Sequence, residues 1–257
     1  MLIHVNVIHD YILSWTRTLA ETNKHKSMLC VITGGIDSCL NAALLLKATS
    51  YIPVNIIFMG FKPENENIFE QWVIANFGSE HYNIIKPNHP TFDDPVLANI
   101  DARSSLISSY VDMYCKAYES LNFGTITKSE YSLVKFYKSR IDEVFDYYPI
   151  IDLYRSECIQ LANYIKLPQQ IIDDKSIKME DFQFSHDDLE WLDRENNNLS
   201  IVEASNPPHL AGHYALFDQK NKLLLLKVHQ LNKDNKNKII PDNKKCSVRI
   251  ALPGCIS

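Results

Sequence analysis

Apolar residues recur along this chain in two spacings that alternate, and the alternation is its main structural signal. Val5, Ile8, Ile12, Trp15 and Leu19 step by three and four, the spacing of one buried helix face, which leaves His4 and His9 on the helix surface and not among ligands. Met28 to Ile32 is instead a continuous apolar run of strand length. It breaks at Thr33-Gly34-Gly35-Ile36-Asp37-Ser38 and resumes with helical spacing as far as Ala48. Val54 to Met59 predicts a second buried strand. Polar Lys62 to Asn67 then suits a helix start, the helix runs to about Phe77, and His81 to Lys86 predicts a third strand. Pro87 to Pro95 is a loop by its prolines and aspartates. A long helix is predicted from about Asn99 to Ser120, with Ile100, Leu106, Ile107, Tyr110, Met113, Tyr114 and Ala117 on its apolar side, and Leu121 to Phe123 is a fourth strand candidate. Strand alternating with helix at this spacing predicts an α/β fold, a parallel sheet with helices on both faces. Ligands of such sheets sit beyond the carboxyl ends of the strands, where the Thr33–Ser38 break falls.

Composition narrows the function classes. The 257 residues are 46% hydrophobic and 22% charged, with a formal net charge of −5, which argues against a nucleic-acid surface as the main business. The six cysteines are scattered, without a CxxC pair or zinc spacing, and read as reduced thiols, mostly core. No apolar run approaches the ~20 residues of a membrane span. A soluble, cytoplasmic protein with no membrane partner is the expectation. We read one domain over 1–257, with a core at about 27–173 and a helical C-terminal part at 174–257. Within that part Pro207-Pro208 opens a helix-like stretch, Leu223 to Leu226 reads as a packing surface, and the polar run Asn232 to Lys245 reads as a solvated face.

Glycine is scarce, only 7 in the chain, so the adjacent pair Gly34-Gly35 carries weight. Two glycines at a strand-to-helix corner let the backbone turn sharply and approach a ligand, and the helix behind them offers unpaired N–H groups and a positive dipole end. That arrangement suits a phosphate. Thr33 and Ser38 add hydroxyls, and Asp37 adds a carboxylate suited to Mg²⁺. Neither the Walker spacing GxxxxGK[ST] nor GxGxxG after a strand is present.

TGGIDS resembles the SGGxDS pyrophosphate loop of the N-type ATP pyrophosphatases, with Thr33 keeping the hydroxyl of the first serine. Three further stretches extend the likeness to the NAD synthetases. Asn99-Ile100-Asp101-Ala102-Arg103 resembles their NxQAR, Gly124 to Glu130 (GTITKSE) their GTxNxSE, and Asp146 to Ala162 their D-x-x-PI-x-DL-x-K-x-x-V-x-x-LA. Order and spacing agree from about Cys30 to Asp173. The resemblance implies an adenine nucleotide alpha hydrolase-like, Rossmann-like fold and an ammonia-dependent ligase. Such an enzyme converts deamido-NAD, ATP and ammonia to NAD, AMP and pyrophosphate, as a homodimer. It implies an ATP site of Thr33, Gly34, Gly35, Asp37, Ser38, Met59, Arg103 and Thr125, with Met59-Gly60-Phe61 by the adenine, and Mg²⁺ held by catalytic Asp37 and Glu130. Lys138, Asp142, Asp146, Arg155 and Lys175 match substrate-binding positions, Arg155 as a phosphate-pairing cation in place of the usual lysine and Lys175 as what survives of K-x-P-[ST]-A. The second half departs furthest: Phe136 to Glu143 lacks the glycine and threonine of FTKYGDG, and His186 to Asp193 matches only loosely.

The chemistry agrees with these presences and absences. A carboxylate becomes an electrophile only when its oxygen is made a leaving group, so two anions must meet and the barrier is electrostatic. Cations, N–H donors and rigid positioning are needed, not a Ser-His-Asp nucleophile. Two other readings stay open at this point: another adenylating enzyme of the same loop class with a different substrate, and a nucleotide-binding regulator that has lost catalysis.

Overall fold

We describe the fold from a computed structural model that covers residues 4–88, 100–128, 130–131, 144–174, 190 and 242–248. Four strands, β1 (Ser27–Ile32), β2 (Val54–Phe58), β3 (Tyr82–Ile85) and β4 (Ser120–Phe123), form one parallel sheet in the order β3-β2-β1-β4. The chain steps outward from β1 to β3 and then returns to lay β4 on the other side of β1. That reversal creates a switch point between the carboxyl ends of β1 and β4, where open α/β sheets bind ligands. The register sets Cys30 of β1 opposite both Ile56 and Phe123.

Alternation along the strands divides the core in two. Met28, Cys30, Ile32, Val54, Ile56 and Phe58 face the cluster built with α1 (Val5–Thr22), α2 (Ile36–Ala48), α3 (Pro63–Asn76), α5 (Arg155–Tyr164) and α6 (Gln169–Ile172). Leu29, Val31 and Ile57 face Ile107 and Val111 of α4 (Ile100–Tyr118) on the opposite side. The periodicity thus places the elements from α1 to β4, with most ends moving by one or two residues, while α5 and α6 carry no such reading. Helix α2 is buried nearly all round, because it lies between the sheet, α1 and α5.

Two details differ from the sequence reading. His9 is not on the surface: its side chain is 14% exposed, and its ring meets Tyr164 of α5 edge-on at 5.3 Å. The end of the Lys/Asn run is only partly solvated: Asn243 is exposed, but Lys244 and Lys245 are half-buried and the backbone there is paired. The Tyr148 N–H donates to the Lys244 carbonyl at 2.9 Å, Cys246 N–H donates to the Tyr148 carbonyl at 3.2 Å, and Cys246 is fully buried. Residues 191–241, including Pro207-Pro208 and Leu223 to Leu226, lie outside the described residues.

A polar ladder crosses the amino end of the sheet on the α4 side. Asn55 donates to Ser27 Oγ and to Ser120 Oγ, each at 2.9 Å, and accepts from Asn83 Nδ2 at 2.8 Å. Asn55 is fully buried, in a strand whose other positions are apolar. Its hydrogen bonds select one register among β1, β2 and β4, since a slip would strand buried polar groups. Asn55→Leu is expected to cost about 1–3 kcal/mol, read as a lower urea midpoint. An unchanged midpoint would show the ladder to be idle.

The described cysteines are free thiols. Burial pushes the pKa of Cys30, Cys39 and Cys246 far up, and that of Cys115 up to about 11. A raised thiol pKa means the unfolded chain loses its proton first, so these groups stabilise the fold up to about pH 8.5 and progressively less above it, by about 1.4 kcal/mol per thiol and pH unit. Unfolding titrations should therefore show stability falling steeply above about pH 9. A Cys30→Ala variant should fall less steeply, and an identical slope would contradict this account.

Candidate active site

The site forms where β1 ends. Gly34 has φ +74°, the left-handed region, and a β-carbon placed on it would lie 2.5 Å from Lys62 Cβ and 2.9 Å from the Lys62 carbonyl oxygen. Only glycine meets both demands. Gly35 is the extended N-cap of α2 and carries no side-chain capping bond. Ser38 Oγ closes the turn from within. It accepts from Thr33 N and from Thr33 Oγ1, each at 3.2 Å, and donates to the Gly35 carbonyl at 2.9 Å. The two hydroxyls therefore shape the loop, and Ser38 is buried.

A second helix start abuts the first. Arg155, the first residue of α5, pairs through Nη1 with Oδ2 of Asp37 in the first turn of α2, and the two side chains are 7% and 17% exposed. The positive ends of two helices thus converge, with one carboxylate and one guanidinium between them. The start of α5 is held by acids: Glu157 accepts from Tyr154 N–H at 2.9 Å, and Glu190 accepts from Ser156 N–H at 3.0 Å and from the Ser156 hydroxyl.

The loop after β4 closes the far side. Gly124 N–H donates to the Tyr147 carbonyl at 2.8 Å, and Lys128 N–H donates to the Leu153 carbonyl at 2.9 Å, so half-buried Thr125 is held between two anchors. Oε2 of Glu130 accepts from Thr127 N–H at 2.7 Å and from the Thr127 hydroxyl at 2.8 Å. Burial raises the Cys158 thiol pKa, and the fields of Asp37, Glu157 and Glu130 raise it further, while Arg155 opposes them. Asn41, one turn into α2, donates to the Phe123 carbonyl at 3.4 Å and links the supports of both loops.

After β2, Met59 is fully buried, and its N–H donates to the Ile32 carbonyl at 3.1 Å. Its side chain belongs to the core, so Gly60 and Phe61 form the accessible part of that corner. Glu66, in the first turn of α3, accepts from Gly60 N–H at 2.9 Å and Phe61 N–H at 3.0 Å and fixes the loop. Arg103, in the first turn of α4, lies over the Phe61 ring with its guanidinium carbon 6.0 Å from the centroid, which sets a π face against a cation that its own helix dipole disfavours.

Of the remaining sequence-predicted residues, Asp146 accepts from Asn122 N–H at 3.2 Å and ties its segment to β4. Lys138, Asp142 and Lys175 lie outside the described residues. The sequence reading missed Lys62, Asn65, Glu66, Asp174 and Glu190. Asn65 Nδ2 donates to the Gly34 carbonyl at 2.9 Å and to Asp174 Oδ2 at 2.9 Å, and Lys62 Nζ pairs with the same oxygen. The polar start of α3 is the signal for Lys62, Asn65 and Glu66, and the loose match over His186 to Asp193 that for Glu190.

Among the described residues no group of three or more His, Cys, Asp and Glu could hold a metal alone. Asp37 and Glu130 supply two hard oxygen donors, a set that fits Mg²⁺ arriving with a polyphosphate and its waters. No described helix is long and apolar enough to cross a membrane.

The sequence model of the NAD synthase family matches residues 7–191. The chain belongs to that family. The NH(3)-dependent NAD(+) synthetase of Pyrococcus furiosus is 29% identical over 165 residues, 60% of this chain and 63% of that protein. The NH(3)-dependent NAD(+) synthetase of Sulfurisphaera tokodaii is 28% identical over 176 residues, 64% of this chain and 62% of that protein. The match thus spans just under two thirds of those relatives. Among solved structures, the NMN synthetase of Francisella tularensis superposes with a TM-score of 0.65 at 13% identity, covering 93% of this chain and 98% of that one. The NH3-dependent NAD synthetase of Campylobacter jejuni gives 0.61 at 19% identity, covering 93% and 97%. At these identities the likeness is one of fold.

Proposed function

We propose that this chain is an ammonia-dependent NAD synthetase. The observation that carries the reading is the convergence of two helix N-termini on the Gly34-Gly35 turn at the switch point of a NAD synthase fold, with Arg155 beside it. In this reading the turn and the two dipoles hold the β- and γ-phosphates of ATP. Thr125 and Arg103 complete the site, and the Gly60-Phe61 corner next to Met59 lies by the adenine. Asp37 and Glu130 hold Mg²⁺, which screens the phosphate charge when bound.

The nicotinate carboxylate of deamido-NAD attacks the α-phosphorus, the bond to the bridging oxygen breaks, and pyrophosphate leaves. Ammonia then attacks the acyl carbon, AMP departs with the former carboxylate oxygen, and the nitrogen loses a proton. The chain's part is positioning and charge compensation. We assign Lys138, Asp142, Asp146 and Lys175 to the deamido-NAD side, Arg155 to charge compensation at the phosphates, and the working form to a cytoplasmic homodimer.

Incubating the purified chain with ATP, Mg²⁺, deamido-NAD and ¹⁵N-ammonium should give ¹⁵N-labelled NAD. AMP formation that proceeds equally well without deamido-NAD would move the assignment to another carboxylate.

A further inference from the structure

Two cations flank the Gly34-Gly35 turn, and each is held by an acid. On one side Arg155 pairs with Asp37; on the other Lys62 pairs with Asp174, their side chains 20% and 26% exposed. Lys62 is the N-cap of α3, and its own backbone crowds Gly34 so closely that no β-carbon fits between them. Asp174 is tied to the turn as well, because Asn65 donates to it and to the Gly34 carbonyl, each at 2.9 Å. The ammonium of Lys62 therefore stands three contacts from the turn's own carbonyl.

A half-buried carboxylate facing a polyphosphate repels it, while a lysine on a flexible four-carbon stem exchanges one anion for another by a small rotation of its side chain. A triphosphate carries more charge than Asp174, and it would sit on the turn against which Lys62 already packs.

We propose that Lys62 is a polyphosphate-binding residue of this site, stored on Asp174 until the phosphates of ATP arrive. This rests on the turn being an ATP loop, and not on the identity of the carboxylate substrate. Asp174 is then a competitor for the lysine as well as a holder of Asn65, and its two roles separate on substitution. Asp174→Asn keeps an oxygen to accept from Asn65 and removes the competing charge.

Isothermal titration with inorganic pyrophosphate and Mg²⁺ tests this, with far-UV circular dichroism confirming the fold. Lys62→Met should weaken binding about 10-fold or more, and Lys62→Arg should stay within about 3-fold of the parent. Asp174→Asn should tighten binding about 3- to 10-fold, and this arm stands even if Lys62→Met fails to fold. Weaker binding by Asp174→Asn, or parental affinity in a folded Lys62→Met, would overturn the proposal and reduce the pair to a brace. A parent chain that binds no pyrophosphate would instead overturn the ATP loop itself.

Discussion

Gly34→Ala is expected to abolish ATP binding and to destabilise the fold. The left-handed φ of +74° costs an L-residue about 1–2 kcal/mol. The larger penalty is steric, since the new methyl would stand 2.5 Å from Lys62 Cβ and 2.9 Å from a backbone oxygen that cannot swing away. Forcing an extra carbon into such a space costs a further 1–3 kcal/mol or so. Relief would come by moving the turn off Lys62 and Asn65, which is the movement that spoils a phosphate cradle. The urea midpoint should fall, and titration calorimetry with ATP should give no heat of binding. Normal ATP affinity in Gly34→Ala would mean that the phosphates do not use this turn.

Removing Arg155 has a different expected signature. With only 7% of its side chain exposed and Asp37 at 17%, Arg155→Met leaves a carboxylate in a nearly dry pocket without its counter-ion. Breaking a buried pair from one side costs about 3–5 kcal/mol, a large share of a typical domain's total stability of about 5–15 kcal/mol. The double variant Asp37→Asn/Arg155→Met removes both charges and should recover most of that loss. Turnover should not recover, because in the proposed reading the same two groups organise the phosphate site. Asp37→Asn alone should be inactive and should lose stability as Arg155→Met does, since it leaves the buried guanidinium without its carboxylate. If Arg155→Met were as stable as the parent, the pair would contribute nothing. If the double variant turned over, neither residue would belong to the catalytic machinery.

The contrast between these sites shows what the sequence makes legible. Strands β1 and β2, the amphipathic helix α1 and the TGGIDS turn are local signals, written in runs of apolar residues and in one glycine pair, and the folded chain contains them where the spacing puts them. Partnerships are not local. Arg155 reads as a phosphate-pairing cation from its place in a motif, yet it meets Asp37, 118 residues earlier in the sequence. Lys62 and Asp174 stand 112 residues apart and give no sign of each other until α3 and α6 are packed together.

Burial is the other property that local pattern misjudges. Met59 closes an apolar run that reads as a buried strand, and its side chain is core on the sheet face filled by α4, while the family resemblance sets the Met59-Gly60-Phe61 corner by the adenine. His9 falls off the apolar stripe of α1, yet Tyr164 packs on its ring edge-on. The family motif marks Glu130 as a site acid, and its bonds to Thr127 shape the loop that carries Thr125.

The central claim is that the turn after β1 makes pyrophosphate the leaving group and AMP the carrier of the carboxylate oxygen. Deamido-NAD labelled with ¹⁸O in its nicotinate carboxylate, turned over with ATP and ammonia, tests it by phosphorus NMR. One ¹⁸O in the phosphate of AMP, with unlabelled pyrophosphate, is the predicted outcome. ADP with labelled inorganic phosphate would contradict it.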